Sequence, residues 1–273
     1  MQKLLTYLFL LIMLVSCEEQ SDWDLKAGAN DFIVVDGIIT NELKVQTITI
    51  RKPVTTLNAL PQPVNGATVL VSSKLLTQTF HEDPLHPGTY LSDKEFIGLR
   101  NQTYSLLITS GTKNYSSKAV LAPPVATFNF IDYQLNDDDN KYHFIRVPFP
   151  YNPSSPAMYE VQLDWSTAPG YKNENPDSCK AKLFYYVLPT IDVSELFAPG
   201  IETITFPYGT SITERRYSLT DEHAAFLRAL LLETTWQGGY FNTASANIPT
   251  NLSAGAMGFF GACGVTEKTK IVK

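Results

Sequence analysis

The sequence predicts a mostly β protein: an immunoglobulin-like β-sandwich over residues 32–122, then a second β-rich domain over 125–273 with one packed α-helix. Three observations predict it. Short β-branched and aromatic runs recur at even spacing between residues 32 and 121, the cadence of a sandwich. The adjacent Pro123 and Pro124 interrupt that cadence, because proline cannot donate to a strand ladder. A single stretch, after Ser218, carries helical periodicity.

The elements follow in order. Residues 32–40 are strand-like and β-branched, and a short turn around Asn41 and Glu42 leads into 45–51, which alternates with period two. Residues 53–63 read as a loop. Strands are expected at 67–72 and 76–81, then at 89–91 after the turn marked by Pro84, Pro87 and Gly88. The alternating runs 103–109 and 115–121 close the series. No Cys…Trp…Cys spacing is present, so an antibody-type domain is not expected. Beyond the prolines, strands are expected at 127–135, 142–149, 158–165, 183–188, 203–206 and 212–217, with loops at 152–156 and 169–177. The helix is expected near 219–235. Ser218 or Thr220 caps it, and Asp221 and Glu222 suit the positive end of its dipole. Phe226, Leu227, Leu230 and Leu231 form one apolar face, and Gly238 and Gly239 stop it. Residues 257–265 read as a final strand whose glycines imply a bulge or a close backbone approach.

The first residues carry a different signal. Lys3 is followed by an apolar run over 4–15, broken only by Thr6. As a helix this run is about 18 Å long, well short of the ~30 Å hydrocarbon core. With Leu14-Val15-Ser16-Cys17 it has the form of a lipoprotein signal peptide, residues 1–16, cut before Cys17. Cys17 is the expected acylation site, and several acyl chains hold a protein stably on a bilayer. Residues 17–31 read as an acidic tether, with Glu18, Glu19 and Asp22 directly behind the anchor and Trp23 available to a partner or the bilayer interface.

The net charge of −6 comes without a Lys/Arg cluster, which argues against a nucleic-acid partner. In an oxidising compartment Cys179 and Cys263 can form a disulfide or stay as two buried free thiols. No catalytic or metal constellation emerges. Gly209-Thr-Ser-Ile-Thr213 lacks the last glycine of a nucleophile elbow and no helix follows at once. The four histidines, at 81, 86, 143 and 223, are scattered. The acidic run 136–140 lacks the glycine and glutamate of a calcium loop and reads as a hydrated hairpin tip. Trp165 and Trp236 are read as packing residues. The segment around Asn247, Pro249 and Asn251 is a proline-stiffened candidate binding loop.

Taken in order, several pieces form one pattern: Cys17 with its lipobox; Ile33-Val-Val-Asp-Gly-Ile-Ile-Thr-Asn41; Val64-Asn-Gly-Ala-Thr-Val69 and Gly88-Thr-Tyr90; Tyr104-Ser-Leu-Leu-Ile108; Val147-Pro-Phe-Pro-Tyr-Asn-Pro153; Tyr217-Ser-Leu-Thr220; Ala246-Asn-Ile-Pro-Thr-Asn251; and Ala256-Met-Gly-Phe-Phe-Gly261. This ordered set resembles the Bacteroidota outer-membrane lipoprotein family known as domain of unknown function 4249. One departure is Tyr151-Asn152-Pro153 where the family usually has Asp-Pro; asparagine keeps the turn chemistry. The resemblance implies no reaction and no cofactor. It implies a non-catalytic, lipid-anchored outer-membrane protein, accessory to a TonB-dependent receptor in nutrient uptake. In Bacteroidota lipoproteins, acidic residues behind the Cys also resemble a signal for surface display. The alternative is an independent glycan- or peptide-binding surface lipoprotein, and after it a surface hydrolase.

Overall fold

Period-two alternation produces the first seven strands. In the computed structural model β1 (Ile33–Thr40), β2 (Thr47–Arg51), β3 (Thr68–Ser72), β4 (Thr77–Glu82), β5 (Thr89–Ser92), β6 (Thr103–Ser110) and β7 (Lys113–Val120) lie on the seven expected runs. Residues 32–54, 59–136, 140–144, 155–189, 204–236 and 248–273 are described. The expected signal peptide, Cys17, the tether through residue 31, and Asn247 lie outside them. Tyr104, Leu106 and Ile108 of β6 and Tyr115, Ser117 and Ala119 of β7 point inward while their neighbours face out, as strands with one buried face require.

These strands join one eight-stranded sheet, not two facing ones, in the order β14-β1-β2-β5-β4-β3-β6-β7. The eighth member, β14 (Ala256–Cys263), comes from the far end of the chain and pairs in parallel with β1 over the whole of both strands. The sheet's two edges then meet. Ser117 bridges Leu252 and Ala122 bridges Cys263. Ser253 N–H donates to Ser116 O (2.8 Å), and Gly264 N–H donates to Ala122 O (2.8 Å). The Asn251 side chain sits in this seam: it donates to Phe260 O (2.7 Å) and Lys118 O (3.1 Å) and accepts from Phe260 N–H (3.1 Å). Edge groups that would otherwise pair with another chain are occupied here.

The tail is thus two strands, not the one expected over 257–265. After Gly264 the chain continues as β15 (Val265–Ile271), whose Thr-Glu-Lys-Thr-Lys alternation is too polar to read as a strand before its partner is known. β15 is the edge of a four-stranded antiparallel sheet ordered β11 (Lys180–Val187), β10 (Ala157–Asp164), β13 (Ser211–Ser218), β15. A three-stranded sheet of β12 (Thr205–Phe206), β9 (Lys141–Phe144) and β8 (Tyr133–Asn136) supplies aromatic rings to the same core as Val161, Leu163 and Ile212. Phe144 and Phe206 lie 5.1 Å apart, and Tyr133 meets Phe206 edge-on at 6.0 Å. The chain leaves the first sheet through 121–124 and returns to it through β14. Ala122 and Cys263 pair in parallel, so the second passage, from β14 to β15, runs beside the first. At Gly264 a Cβ would lie 2.2 Å from Pro124 N.

Two further expectations change. Residues 127–132 are not a strand, because side chains, not a neighbouring backbone, take their polar groups. Thr266 Oγ1, Lys268 Nζ and Lys270 Nζ donate to the carbonyls of Val125 (2.6 Å), Phe128 (2.5 Å) and Ile131 (3.2 Å). Ile131 N–H donates to both Glu214 carboxylate oxygens (3.0 and 3.2 Å). The helix α1 (Asp221–Glu233) is capped by Thr220, one of the two expected caps, but its buried stripe is His223, Ala224, Leu231 and Leu232 rather than Phe226 and Leu230. It ends by Trp236, whose N–H donates to Leu231 O (2.8 Å), before the glycines expected to stop it. Among the described residues no helix is long and apolar enough to cross a membrane.

The glycine in the middle of β14 is required by its neighbour. Gly258 has φ +89°, and a Cβ there would lie 2.1 Å from Val35 O. Gly258→Ala is expected to cost more than the ~1–2 kcal/mol of left-handed backbone alone, since the β1–β14 ladder must also part. Gly111→Ala, also at positive φ but with open space around it, should cost only that backbone penalty. Urea denaturation of the two variants checks the difference.

Candidate functional site

On a sheet every second residue shares a face, so the register of the four-stranded sheet determines which side chains meet. Phe184, Glu160, Arg215 and Glu267 form one row across β11, β10, β13 and β15; Lys182, Gln162, Thr213 and Thr269 form the next. The turn after β1 leans onto this face. Asn41 holds it by accepting from Val265 N–H (2.6 Å) and donating to Val265 O (3.2 Å). The buried Gln46 side chain accepts from Thr40 N–H (3.1 Å) and donates to Phe96 O (3.1 Å). Glu42 is thereby placed to accept from Arg215 and Lys44.

The cluster is ionic throughout. Glu160, 6% exposed, accepts from Gln162 (2.6 Å) and Tyr217 (2.9 Å) and pairs with Lys182 (3.0 Å). Burial pushes its carboxyl up, but hydrogen bonds from Gln162, Lys182 and Tyr217 outweigh that and hold it below the usual range. Burial likewise raises Glu42, and Lys44, Arg215 and Thr40 bring it below the usual range. Burial and the neighbouring Glu160 push the Tyr217 hydroxyl upward. Arg215 Nε is buried without a hydrogen bond, although Glu267 Oε2 lies 3.4 Å away. Three carboxylates converge on one guanidinium, and neither Glu42 nor Glu160 is kept protonated as a general acid would be. Beside them Arg216, 5% exposed, donates to Tyr159 (3.2 Å), Ser218 (2.8 Å) and Ser155 (2.7 Å).

A second constellation has the geometry of a nucleophile and base. His223 Nδ1 lies 3.6 Å from Cys263 Sγ, and the imidazole stacks on Phe259 at 4.6 Å. Gly261 makes room for it: a Cβ there would stand 2.7 Å from His223 Cε1. Burial pushes His223 down to about 4 and Cys263 up to about 12. The pair is therefore neutral thiol and neutral imidazole, the reverse of an activated thiolate. Cys179 and Cys263 are both buried free thiols.

The open site is a groove of about 700 Å³ on the outer face of β3, β6 and β7. Register aligns Ser72, Ser105 and Lys118 in one row and Leu70, Leu107 and Ser116 in the next. Asn251, Leu252 and Ser253 form a wall, and Glu222 of α1 contributes to the lining. This arrangement offers hydroxyls, a cation and a carboxylate around an apolar floor. It suits a ligand rich in hydroxyl or amide groups. Of the expected loop residues, Asn251 lines the groove while its amide serves the sheet seam, Pro249 is exposed, and Asn247 lies outside the described residues.

Other sequence candidates separate. His81 pairs with Asp93 (2.5 Å) and His86 with Asp83 (2.7 Å). Ser211 opens strand β13, so no elbow forms. Trp236 is buried in the core beneath α1, and Trp165 is half-buried against the aromatic core. Asn136 and Lys141 face each other across the β8–β9 hairpin. Among the described residues, no group of three His, Cys, Asp or Glu could hold a metal ion. The groove and the Cys263–His223 pair were not foreseen: alternating Ser and Leu looks like any half-exposed strand, and Cys263 and His223 are forty positions apart.

These features define a mostly β protein of several sheets with one α-helix among the described residues and an open groove on its largest sheet. The chain belongs to the family described as Domain of unknown function (DUF4249), whose model matches residues 18–269. No curated protein matches it.

Two predictions follow from the buried charges. Arg215→Met leaves three carboxylates facing one another and is expected to cost about 3–5 kcal/mol. Lys182→Met, at a half-exposed partner, should cost under about 1 kcal/mol; chemical denaturation distinguishes them. The second concerns pH. Burial raises Glu214 from 4.5 to about 7, so its contribution is full below pH 4.5 and is lost as pH rises through 7. Burial lowers His223 from 6.5 to about 4, so its contribution is full above pH 6.5 and is lost as pH falls through 4. Between pH 4.5 and 6.5 the two slopes, each about 1.4 kcal/mol per pH unit, oppose each other. Glu214→Gln should make stability rise more steeply with pH in that window, and His223→Asn should make it fall more steeply.

Proposed function

We propose that this chain is a lipid-anchored outer-membrane accessory protein, non-catalytic, that works beside a TonB-dependent receptor in nutrient uptake and is displayed toward the cell surface. The observation that carries the binding role is the groove over β3, β6 and β7. It is open and lined by hydroxyls, and its wall is formed by residues 251–253, next to the loop expected to bind. The anchoring role is supported by Leu14-Val15-Ser16-Cys17 and the acidic residues behind it. The non-catalytic reading is supported by the protonation states of the two constellations. The carboxylates around Arg215 are held ionised, and Cys263 and His223 are held neutral.

A second reading is independent binding of a glycan or peptide, without a receptor. The specific support is the Leu70–Leu107–Ser116 row, which gives an extended ligand an apolar floor bordered by hydroxyls.

Affinity recovery of the tagged lipoprotein from gently solubilised outer membrane distinguishes the two. Co-recovery of a TonB-dependent receptor in stoichiometric amount is expected, with loss of membrane association in Cys17→Ala. Leu107→Trp, which fills the groove from a half-exposed position, should reduce ligand uptake while leaving the fold intact. Recovery of the lipoprotein alone would sink the accessory role and leave independent ligand binding.

A further inference from the structure

We infer that the groove over β3, β6 and β7 takes a short apolar peptide with both termini free, its carboxylate on Lys118 and its ammonium group on Glu222. The inference rests on the reading of this groove as the binding site.

The groove is where this part of the protein keeps uncommitted polar groups. Around it, hydroxyls are occupied within the fold. Ser117 Oγ donates to Asn251 O (2.9 Å), Ser253 Oγ accepts from Ser116 N–H (3.0 Å), and Thr109 Oγ1 donates to the Asn114 side chain (2.8 Å). The hydroxyls of Ser72, Ser105 and Ser116, the Lys118 ammonium and the Glu222 carboxylate line the groove and take no partner among the described residues. Between them lies the apolar floor. Leu107 is 44% exposed while Leu106 and Ile108 on either side are buried, and Leu70 pairs with it across β3 and β6.

The two charges stand beside the same wall. Lys118 is on β7, and its carbonyl accepts from the Asn251 side chain (3.1 Å), which also donates to Phe260 O (2.7 Å). Phe259, next to Phe260, stacks on His223 (4.6 Å), the residue after Glu222 in α1. Asn251, Leu252 and Ser253 thus run between β7 and the helix, with an exposed cation and an exposed carboxylate at their borders. These charges form no ion pair with each other.

This charge pattern selects the ligand. A neutral glycan satisfies the hydroxyls and leaves both charges unmatched, and a ligand of one sign leaves one unmatched. A zwitterion matches both. The wall is three residues long, the length of a peptide of two or three extended residues. Laid along it, such a peptide gives its amides to the serine hydroxyls and its apolar side chains to Leu107 and Leu70. A volume of about 700 Å³ has room for a ligand of that size.

The test is isothermal titration of the full lipidated chain in detergent with trileucine, N-acetyl-trileucine, trileucine amide and maltotriose. Trileucine should bind, and each cap should weaken it about two- to fivefold, the worth of one exposed ion pair. The variants assign each cap to its residue. Lys118→Gln should bind trileucine and its amide equally and still discriminate against the acetyl cap. Glu222→Gln should ignore the acetyl cap and still discriminate against the amide. Trileucine binding that neither cap weakens, or cap effects that persist unchanged in both variants, overturns the inference and leaves the groove. Absence of trileucine binding also overturns it, and maltotriose binding that Leu107→Trp blocks then keeps the groove as a glycan site. Trileucine affinity that Leu107→Trp leaves unchanged removes the groove as the site, and the inference with it.

Discussion

The parallel pairing of β1 with β14 is the contact on which the rest of the molecule depends. It joins the first and last parts of the described chain, and it completes the eight-stranded sheet. It also brings the return passage against the outgoing one at Ala122 and Cys263. Backbone must approach backbone more closely than a Cβ allows at Gly258 and Gly264. Because the strand is covered on both faces, its burial runs nearly unbroken from Phe259 to Cys263, as buried parallel strands do. The seam with β7 and the seat of His223 against Gly261 are consequences of the same placement.

Buried and half-buried polar groups act as fasteners between distant stretches of chain. Asn41 imitates a strand neighbour for Val265. Glu42 reaches Arg215 across 173 positions. Glu214, Lys268 and Lys270 take the backbone of 127–132 where no strand is present to do so. Lys270 also lies over the rings of Phe130 (4.4 Å) and Tyr133 (4.6 Å), a cation–π contact. Such groups add little net free energy over a well-packed apolar core. They penalise every arrangement in which they are left unpaired, and so they select a single register.

The groove is shaped by the same fasteners. Asn251 closes the seam between β7 and β14 and its neighbours wall the groove, so the site forms only when the sheet closes. Sheet closure and the readiness of the groove are one structural event. This places the groove on a part of the sheet where side-chain positions are set by register and not by the wandering of a loop.

The sequence by itself determined the β class, the seven strands of the first half to within two residues, a helix cap at Ser218 or Thr220 and a bulge or close backbone approach along the glycine-punctuated tail. These are local properties: alternation, capping and glycine's lack of a side chain act within a few residues of chain. Tertiary structure alone decided that the seven strands form one sheet with β14 inside it, and that Val265–Ile271 is a strand. It also decided that 127–132 is held by side chains and that the helix buries His223 and Ala224. Of the candidate site, Asn251 was legible as a loop residue. The Ser–Leu rows were not, because a groove depends on which strands become neighbours. That choice is settled by long-range pairing and burial, to which no local window of sequence has access.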